Sequence, residues 1–228
     1  MKHKPDIEYY YLETVRYETA HRLQRELWEL RRENAICDQF ILLHHPPVIT
    51  LGRSSEAKHL LASPEELDRR GVSVVEVERG GDITLHSPNQ LTGYFIFDLK
   101  ARGLSVRQFV SKIEQVVIEA AAEFHIEAGR NEGFPGVWVE DRKLSSLGVS
   151  LKRGVSMHGF SLNVRRDLLF RYIVPCGITG VWMTSLHEES DLMIDEMRLR
   201  SVTLDGVSRA FFSKLELSRV VPELFEKL

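Results

Sequence analysis

The 228-residue chain has only two cysteines, Cys37 and Cys176, far apart in sequence. Two thiols at such a distance neither staple a small fold nor match a zinc ligand set. No run of about 18 apolar residues occurs, so no segment reads as a membrane-spanning helix. The opening stretch, Met1-Lys2-His3-Lys4-Pro5-Asp6, lacks the apolar core of a signal peptide, and a soluble protein of the reducing cytoplasm is expected. There is no excess of positive charge either. Thirty basic against 33 acidic residues give a net charge of −3, which argues against nucleic acid held by overall charge. A phosphate loop with its lysine is missing, no Gly-x-Gly-x-x-Gly follows a strand, and the nine histidines form no His-Glu-x-x-His pattern. Neither a cofactor nor a metal is expected.

What is present is ordinary globular composition, 43% hydrophobic and 28% charged, which excludes disorder as the general state. A chain of this length buries roughly 70% of its unfolded surface without staples. With no repeat and no long linker, residues 1–228 read as a single domain with a core over about 35–215. Leucines and alanines at helical spacing predict a helix from Glu18 to Ala35. Ser63-Pro64-Glu65-Glu66 predicts a short capped helix ending at Gly71. Ser105 opens the clearest helix, with a stripe from Val106 through Phe109, Ile113, Val116 and Val117 to Ala121. A last helix is placed at Val207 to Leu217. Strands are expected at 40–43, 48–51, 72–78, 91–99, 137–140, 144–151 and 159–164. The class is α+β with a mixed sheet and flanking helices.

Chemistry has few places to reside. Arg79-Gly80-Gly81-Asp82-Ile83-Thr84-Leu85-His86 lies between two strands; its glycine pair reads either as a plain turn or as backbone made to approach a ligand. His44 and His45 are adjacent, so on a strand they point to opposite faces and cannot share a metal. His86 and His158 are isolated and read as hydrogen-bonded structural histidines. Cys176, in Val174-Pro175-Cys176-Gly177-Ile178, reads either as a small core residue or as an accessible nucleophile, because proline fixes the chain before it and glycine leaves the sulfur uncrowded. Lys143 begins a small, apolar strand, where a surface lysine is the commonest reading. If the fold brought it to Cys176, its ammonium would favour the reactive thiolate.

Taken in order, His45-Pro46-Pro47-Val48-Ile49-Thr50-Leu51-Gly52-Arg53, Arg79 to His86 with Pro88 and Gln90-Leu91, Gly93-Tyr94, Gly136-Val137-Trp138, Lys143 to Gly148, His158-Gly159 with Leu162-Asn163-Val164, and Pro175-Cys176-Gly177 form a specific series. It resembles the lipoate-pathway octanoyltransferases. The resemblance implies a biotin/lipoate protein ligase-like fold around a tunnel for an acyl chain, and no cofactor. It implies transfer of octanoate from octanoyl-acyl carrier protein to a lysine of lipoyl domains, the first step of endogenous lipoate biosynthesis. The acceptors would be the lipoyl domains of 2-oxoacid dehydrogenases and the glycine cleavage H protein. Cys176 would carry the acyl thioester and Lys143 would favour its thiolate. Substrate contacts would come from Arg79, Gly80, Gly81, Asp82, Ile83, Thr84, Leu85 and His86, from Ser146, Leu147 and Gly148, and from His158, Gly159 and Phe160. The usual His-Gly-Pro-Gly-Gln departs here to His86-Ser87-Pro88-Asn89-Gln90.

Two other classes compete. An ATP-dependent lipoate or biotin protein ligase would share the fold but leave Cys176 without a role. A non-catalytic acyl- or carrier-binding protein would not need both Lys143 and Cys176. Finally, residues 142–166 hold six basic side chains and no acid, which predicts a docking surface for an acidic carrier near Lys143.

Overall fold

Three neighbouring strands of a large sheet are buried on both faces, and the fold is arranged so that each finds cover twice. The computed structural model describes residues 6–218. In chain order the elements are β1 (Ile7–Thr14), α1 (Tyr17–Arg32), β2 (Asp38–His44), β3 (Val48–Leu51), α2 (Pro64–Arg69), β4 (Ser73–Glu76), β5 (Ile83–His86) and β6 (Gln90–Ile96). Then follow α3 (Val106–Ala122), β7 (Gly129–Asn131), β8 (Phe134–Val139), β9 (Arg142–Lys152), β10 (Val155–Asn163), β11 (Trp182–Met183), α4 (Leu186–Glu189), α5 (Glu196–Phe211) and β12 (Leu215–Leu217). The large sheet runs β12-β1-β2-β6-β10-β9-β8-β7, with β11 beside β9, and a small sheet runs β4-β3-β5. The large sheet is mixed: β12, β1 and β2 are parallel, while β2 to β6, β10, β9, β8 and β7 are antiparallel neighbours.

Side chains on β2, β6 and β10 alternate between two cores. Phe40, Leu42, Phe95 and Phe160 face α3 and α5, joining Phe97, Phe109 and Phe211. Ile41, Leu43, Tyr94 and Ile96 face α1, against Leu23, Leu27 and Trp28. A third core, with Ile49, Ile83, Leu85, Phe170 and Ile173, joins the small sheet to the segment leading to Cys176. Buried Asp38 ties α1 to the turn before α3, since it accepts from Arg31 Nε at 2.6 Å and also from Arg102 Nε. Ser105 caps α3 as expected, and the cap is a full capping box, with Ser105 Oγ accepting from Gln108 N and the Gln108 side chain accepting from Ser105 N; at Ser63 only the half in which Ser63 Oγ accepts from Glu66 N is formed.

Three expectations need correction. The last helix is not Val207 to Leu217 but α5, capped by Asp195 and ended by Phe212 in the left-handed conformation (φ 49°). Its buried positions include Thr203 and Gly206, which dilute the apolar stripe, and Gly206 is where Val116 of α3 packs close. Residues 215–217 form β12 on β1 instead. β1 itself, with mostly half-buried tyrosines, had no clean alternation to betray it. Within 79–86 only the first four residues are loop, since Ile83 to His86 pair with β3.

The tightest backbone contact is between β6 and β10. A Cβ added at Gly159 would lie 2.2 Å from Gly93 O, and one at Gly93 would strike the Phe160 ring at 2.4 Å. Gly159→Ala should therefore push the two central strands apart and destabilise the fold by about 1–3 kcal/mol or more, read as a lowered urea midpoint.

Candidate active site

Lys143 enters the interior because the sheet is irregular where it sits. β8 shifts register between Val137 and Trp138, and the lysine then faces Trp138 on one side and Met183 of β11 on the other. Gly136 makes room for it: its φ is +141°, and a Cβ there would lie 2.8 Å from Lys143 Cε. Gln90 donates to Asn163, Asn163 donates to Thr184 O, and Thr184 N donates to Lys143 O at 3.0 Å. This chain fixes the lysine backbone from β6 across to β11. The side chain, 2% exposed, places Nζ 5.0 Å from the centroid of the Trp138 ring. Lys143 Nζ donates to Cys176 Sγ at 3.2 Å, and Ser146 Oγ lies 3.7 Å from the same sulfur. The surface reading of this lysine is thus corrected.

Cys176 sits in a 3-10 turn from Pro175 to Gly177, closed by Gly177 N donating to Val174 O and Ile178 N donating to Pro175 O. Its own backbone is left-handed, φ 58° and ψ 16°. That conformation costs a non-glycine residue about 1–3 kcal/mol and is concentrated at functional sites. Gly177, at φ 69°, continues the turn without that cost.

The sulfur and the ammonium share the wall of a cavity of about 640 Å³. Val110, Phe134, Leu147, Val149, Phe160 and Ile178 give it apolar surface, and Tyr17, Arg79, Thr84, His86, Tyr94 and His158 give it a polar end. The structure brings the three sequence segments together here. Arg79, Gly80, Gly81, Asp82, Ile83, Thr84 and His86 line the cavity, as do Ser146, Leu147, Gly148, His158, Gly159 and Phe160. Leu85 does not; on the face of β5 opposite Thr84 and His86, it lies in the small-sheet core beside Ile83. The reading of His86 and His158 as hydrogen-bonded structural residues is also corrected, because His86 Nδ1 and His158 Nε2 are buried without a partner. Sequence reasoning missed Tyr17 as a lining residue and His59 beside the cysteine turn, neither of which stands in a pattern that marks it; Tyr94, quoted in the motif series, was not placed among the contacts.

The two side chains that depart from the usual glycines turn away from the cavity. Ser87 Oγ and Asn89 Nδ2 both donate to Asp167 Oδ2, at 2.5 and 3.0 Å. Asp167 caps the 3-10 turn Leu168–Tyr172 on the path to Cys176. The expected basic docking surface, by contrast, is largely neutralised. Arg142 pairs with Glu189 and Glu140, Arg165 with Glu196, and Arg166 approaches Glu188. Lys143 is buried, and Lys152 and Arg153 lie at the β9–β10 turn, the opposite end of the strand from the lysine.

Burial decides the electrostatics of the polar end. His45 donates from Nδ1 to Val15 O at 2.6 Å, and its Nε2 lies 2.7 Å from the Tyr94 hydroxyl. Desolvation pulls its pKa down to about 4 and that of His158 to about 3, and lowers that of His86 as well. Arg79 is buried among neutral acceptors: Nη2 donates to Thr50 O and Oγ1, both at 2.8 Å, and Nη1 donates to Gly80 O. Among the described residues His21, Glu78 and His158 bring three metal-ligating atoms within 4.8 Å of one another. His21 and Glu78 already pair at 3.0 Å, and the His21 and His158 rings stack at 21°, so their in-plane lone pairs do not converge.

This fold is that of the lipoate and biotin protein ligases. A lipoate protein ligase A solved with ATP aligns with a TM-score of 0.69 at 10% identity, covering 98% of this chain and 95% of its own. A bipartite lipoate protein ligase from Thermoplasma acidophilum gives 0.73 at 14% identity, covering 99% and 93%. A biotin protein ligase from Aquifex aeolicus gives 0.55 at 17%, covering 90% and 70%. Sequence similarity is more specific. The lipoyl protein ligase A/B catalytic domain family matches residues 16–215. An octanoyltransferase of Dictyoglomus thermophilum is 47% identical over 180 residues, 78% of this chain and 76% of that protein. One from Caldicellulosiruptor saccharolyticus is 40% identical over 220 residues, 92% and 94% of the two chains. The chain belongs to the lipoyl protein ligase A/B catalytic domain family, among its octanoyltransferases, and is an acyltransferase.

The buried imidazoles carry a consequence for stability. An unfolded chain protonates histidine near pH 6.5, whereas His45 resists until about 4. Between those values the unfolded state binds more protons, so stability is complete above 6.5 and declines as pH falls toward 4. His45 alone accounts for about 3 kcal/mol of that decline. Urea unfolding at pH 7.5 and pH 4.5 should show this loss; equal stability at both would mean that the imidazoles are not held neutral.

Proposed function

We propose that the chain moves an octanoyl group from the thioester of an acyl carrier protein to a lysine of a lipoyl domain, by way of an acyl thioester on Cys176. The observation that carries this reading is the 3.2 Å contact between Lys143 Nζ and Cys176 Sγ on the wall of a largely apolar cavity. A cation at that distance favours the thiolate, the nucleophilic form. The T. acidophilum neighbour was solved in a study of a lipoylation system with its E2 lipoyl domain, which supports a lipoyl domain as acceptor.

In the first half-reaction the Cys176 sulfur attacks the thioester carbonyl carbon, and a new C–S bond replaces the carrier's. The leaving carrier thiolate takes a proton from the Lys143 ammonium. Thiol for thiol is an even exchange, so no ATP is needed. In the second half-reaction the acceptor amine attacks the same carbon, the C–N bond forms and the Cys176 C–S bond breaks. The neutral Lys143 amine takes the proton that the nitrogen loses, restoring ammonium beside thiolate. His158 and His86, driven to low pKa by burial, are weak bases for that step. Arg79 to Thr84, His86, Ser146 to Gly148 and His158 to Phe160 supply the substrate contacts.

Cys37 offers a control within the same chain. Burial, with Glu8 nearby, pushes its thiol up to about 11, so it stays protonated at neutral pH. Intact-mass analysis after mixing with octanoyl carrier protein, without ATP, should show one added octanoyl group. Cys176→Ser should lose the adduct and Cys37→Ser should keep it. An adduct on Cys37, or acylation only with ATP and free octanoate, would overturn the reading.

A further inference from the structure

Cys176 is held in its strained turn by contacts outside the cavity. The segment just after the 3-10 turn Ala57–His59 runs against the approach to the cysteine: Leu60 bridges Ile173, and Leu61 N donates to Tyr172 O at 2.8 Å. Immediately before the turn, Val174 N donates to His59 O at 2.8 Å. The His59 ring then folds toward the other side of the turn. Its Nδ1 is 2.7 Å from Asp82 Oδ2, and both groups are about nine-tenths buried. Asp82 is itself fixed, because its Oδ1 accepts from Ile83 N at 2.6 Å. With both carboxylate oxygens engaged by the protein, Asp82 has a structural duty at the cavity edge. The pair fills the space beside the residue after the cysteine. A Cβ added at Gly177 would lie 2.4 Å from Asp82 Oδ2 and 3.1 Å from His59 Cε1.

We propose that His59, oriented by Asp82, is a positioning residue for the transfer reaction: the pair braces Gly177 from behind and so keeps Cys176 Sγ within reach of the Lys143 ammonium. This rests on the reading of Cys176 as the acylated residue. His59 is not among the residues lining the cavity, so it acts through the turn and not on the substrate. Without the ring the left-handed turn loses its backing at Gly177. The sulfur can then draw away from the ammonium, and the thiolate loses its partner. The donor at Nδ1 is what matters, since it locks the ring onto Asp82; a side chain of similar bulk without that donor leaves the ring's place filled but unanchored.

The test uses the full chain in a Cys37→Ser background, following the pH dependence of iodoacetamide alkylation at Cys176. His59→Leu should move the profile to higher pH and slow alkylation at pH 7 by about threefold or more. His59→Asn, whose amide offers a donor near the Nδ1 position, should stay within about twofold of the parent. In a Lys143→Met background His59→Leu should add no further shift, because the effect passes through the lysine–cysteine contact. A His59→Leu profile that coincides with the parent's, with only a smaller reactive fraction, would reduce His59 to a support of the fold and overturn the proposal. So would equal profiles for His59→Asn and His59→Leu, or additive shifts in Lys143→Met. Intact-mass acylation of the parent is read in parallel. A parent that never acylates at Cys176 would overturn the acyl-enzyme reading, while the alkylation profiles still decide the brace.

Discussion

Lys143 is 2% exposed, and none of the ion pairs found among the described residues gives its ammonium a carboxylate. A buried charge left without compensation costs several kcal/mol, so its surroundings must answer it. What they offer is the π face of Trp138 and the sulfur of Cys176. The register shift in β8, the open backbone at Gly136 and the left-handed turn at Cys176 each serve to bring those two partners to the nitrogen. The sulfur gives the buried ammonium an acceptor at 3.2 Å.

The polar end of the cavity extends that logic. Burial keeps His45, His86 and His158 neutral, so they add no positive charge beside the site. Arg79 and Lys143 remain as the cations of the cavity wall, and Asp82, the carboxylate at its edge, already spends both oxygens on Ile83 N and His59. Such a site favours negative charge wherever it develops. The remaining walls are apolar, which suits a saturated chain and keeps the local dielectric low enough for these charges to matter.

Much of this was legible in the sequence, for identifiable reasons. α3 announced itself because its stripe is unbroken and its capping box is complete, whereas α5 hid behind Thr203 and Gly206. Cys176, Lys143 and the glycine loops stood out through the order of their motifs, but their meeting in space belongs to strand pairing across β8, β9 and β11. The run of basic residues at 142–166 misled because the acids that neutralise it, Glu140, Glu188, Glu189 and Glu196, all lie outside that window. Leu85 was grouped with its neighbours although strand alternation turns it to the opposite face. His59 left no trace, since its partner Asp82 is 23 residues away and the turn it touches is farther still.

The central claim is that the lysine holds the sulfur as a thiolate, and the thiolate's own ultraviolet absorbance reads this without substrate. Titrated in the Cys37→Ser protein, the band reads the charge of Cys176 alone. Lys143→Met should move its onset upward. Lys143→Arg should keep the band yet fail in turnover, because guanidinium does not give up its proton. Identical titrations for the parent and Lys143→Met would contradict the account, since the 3.2 Å contact would then have no hold on the charge of the sulfur.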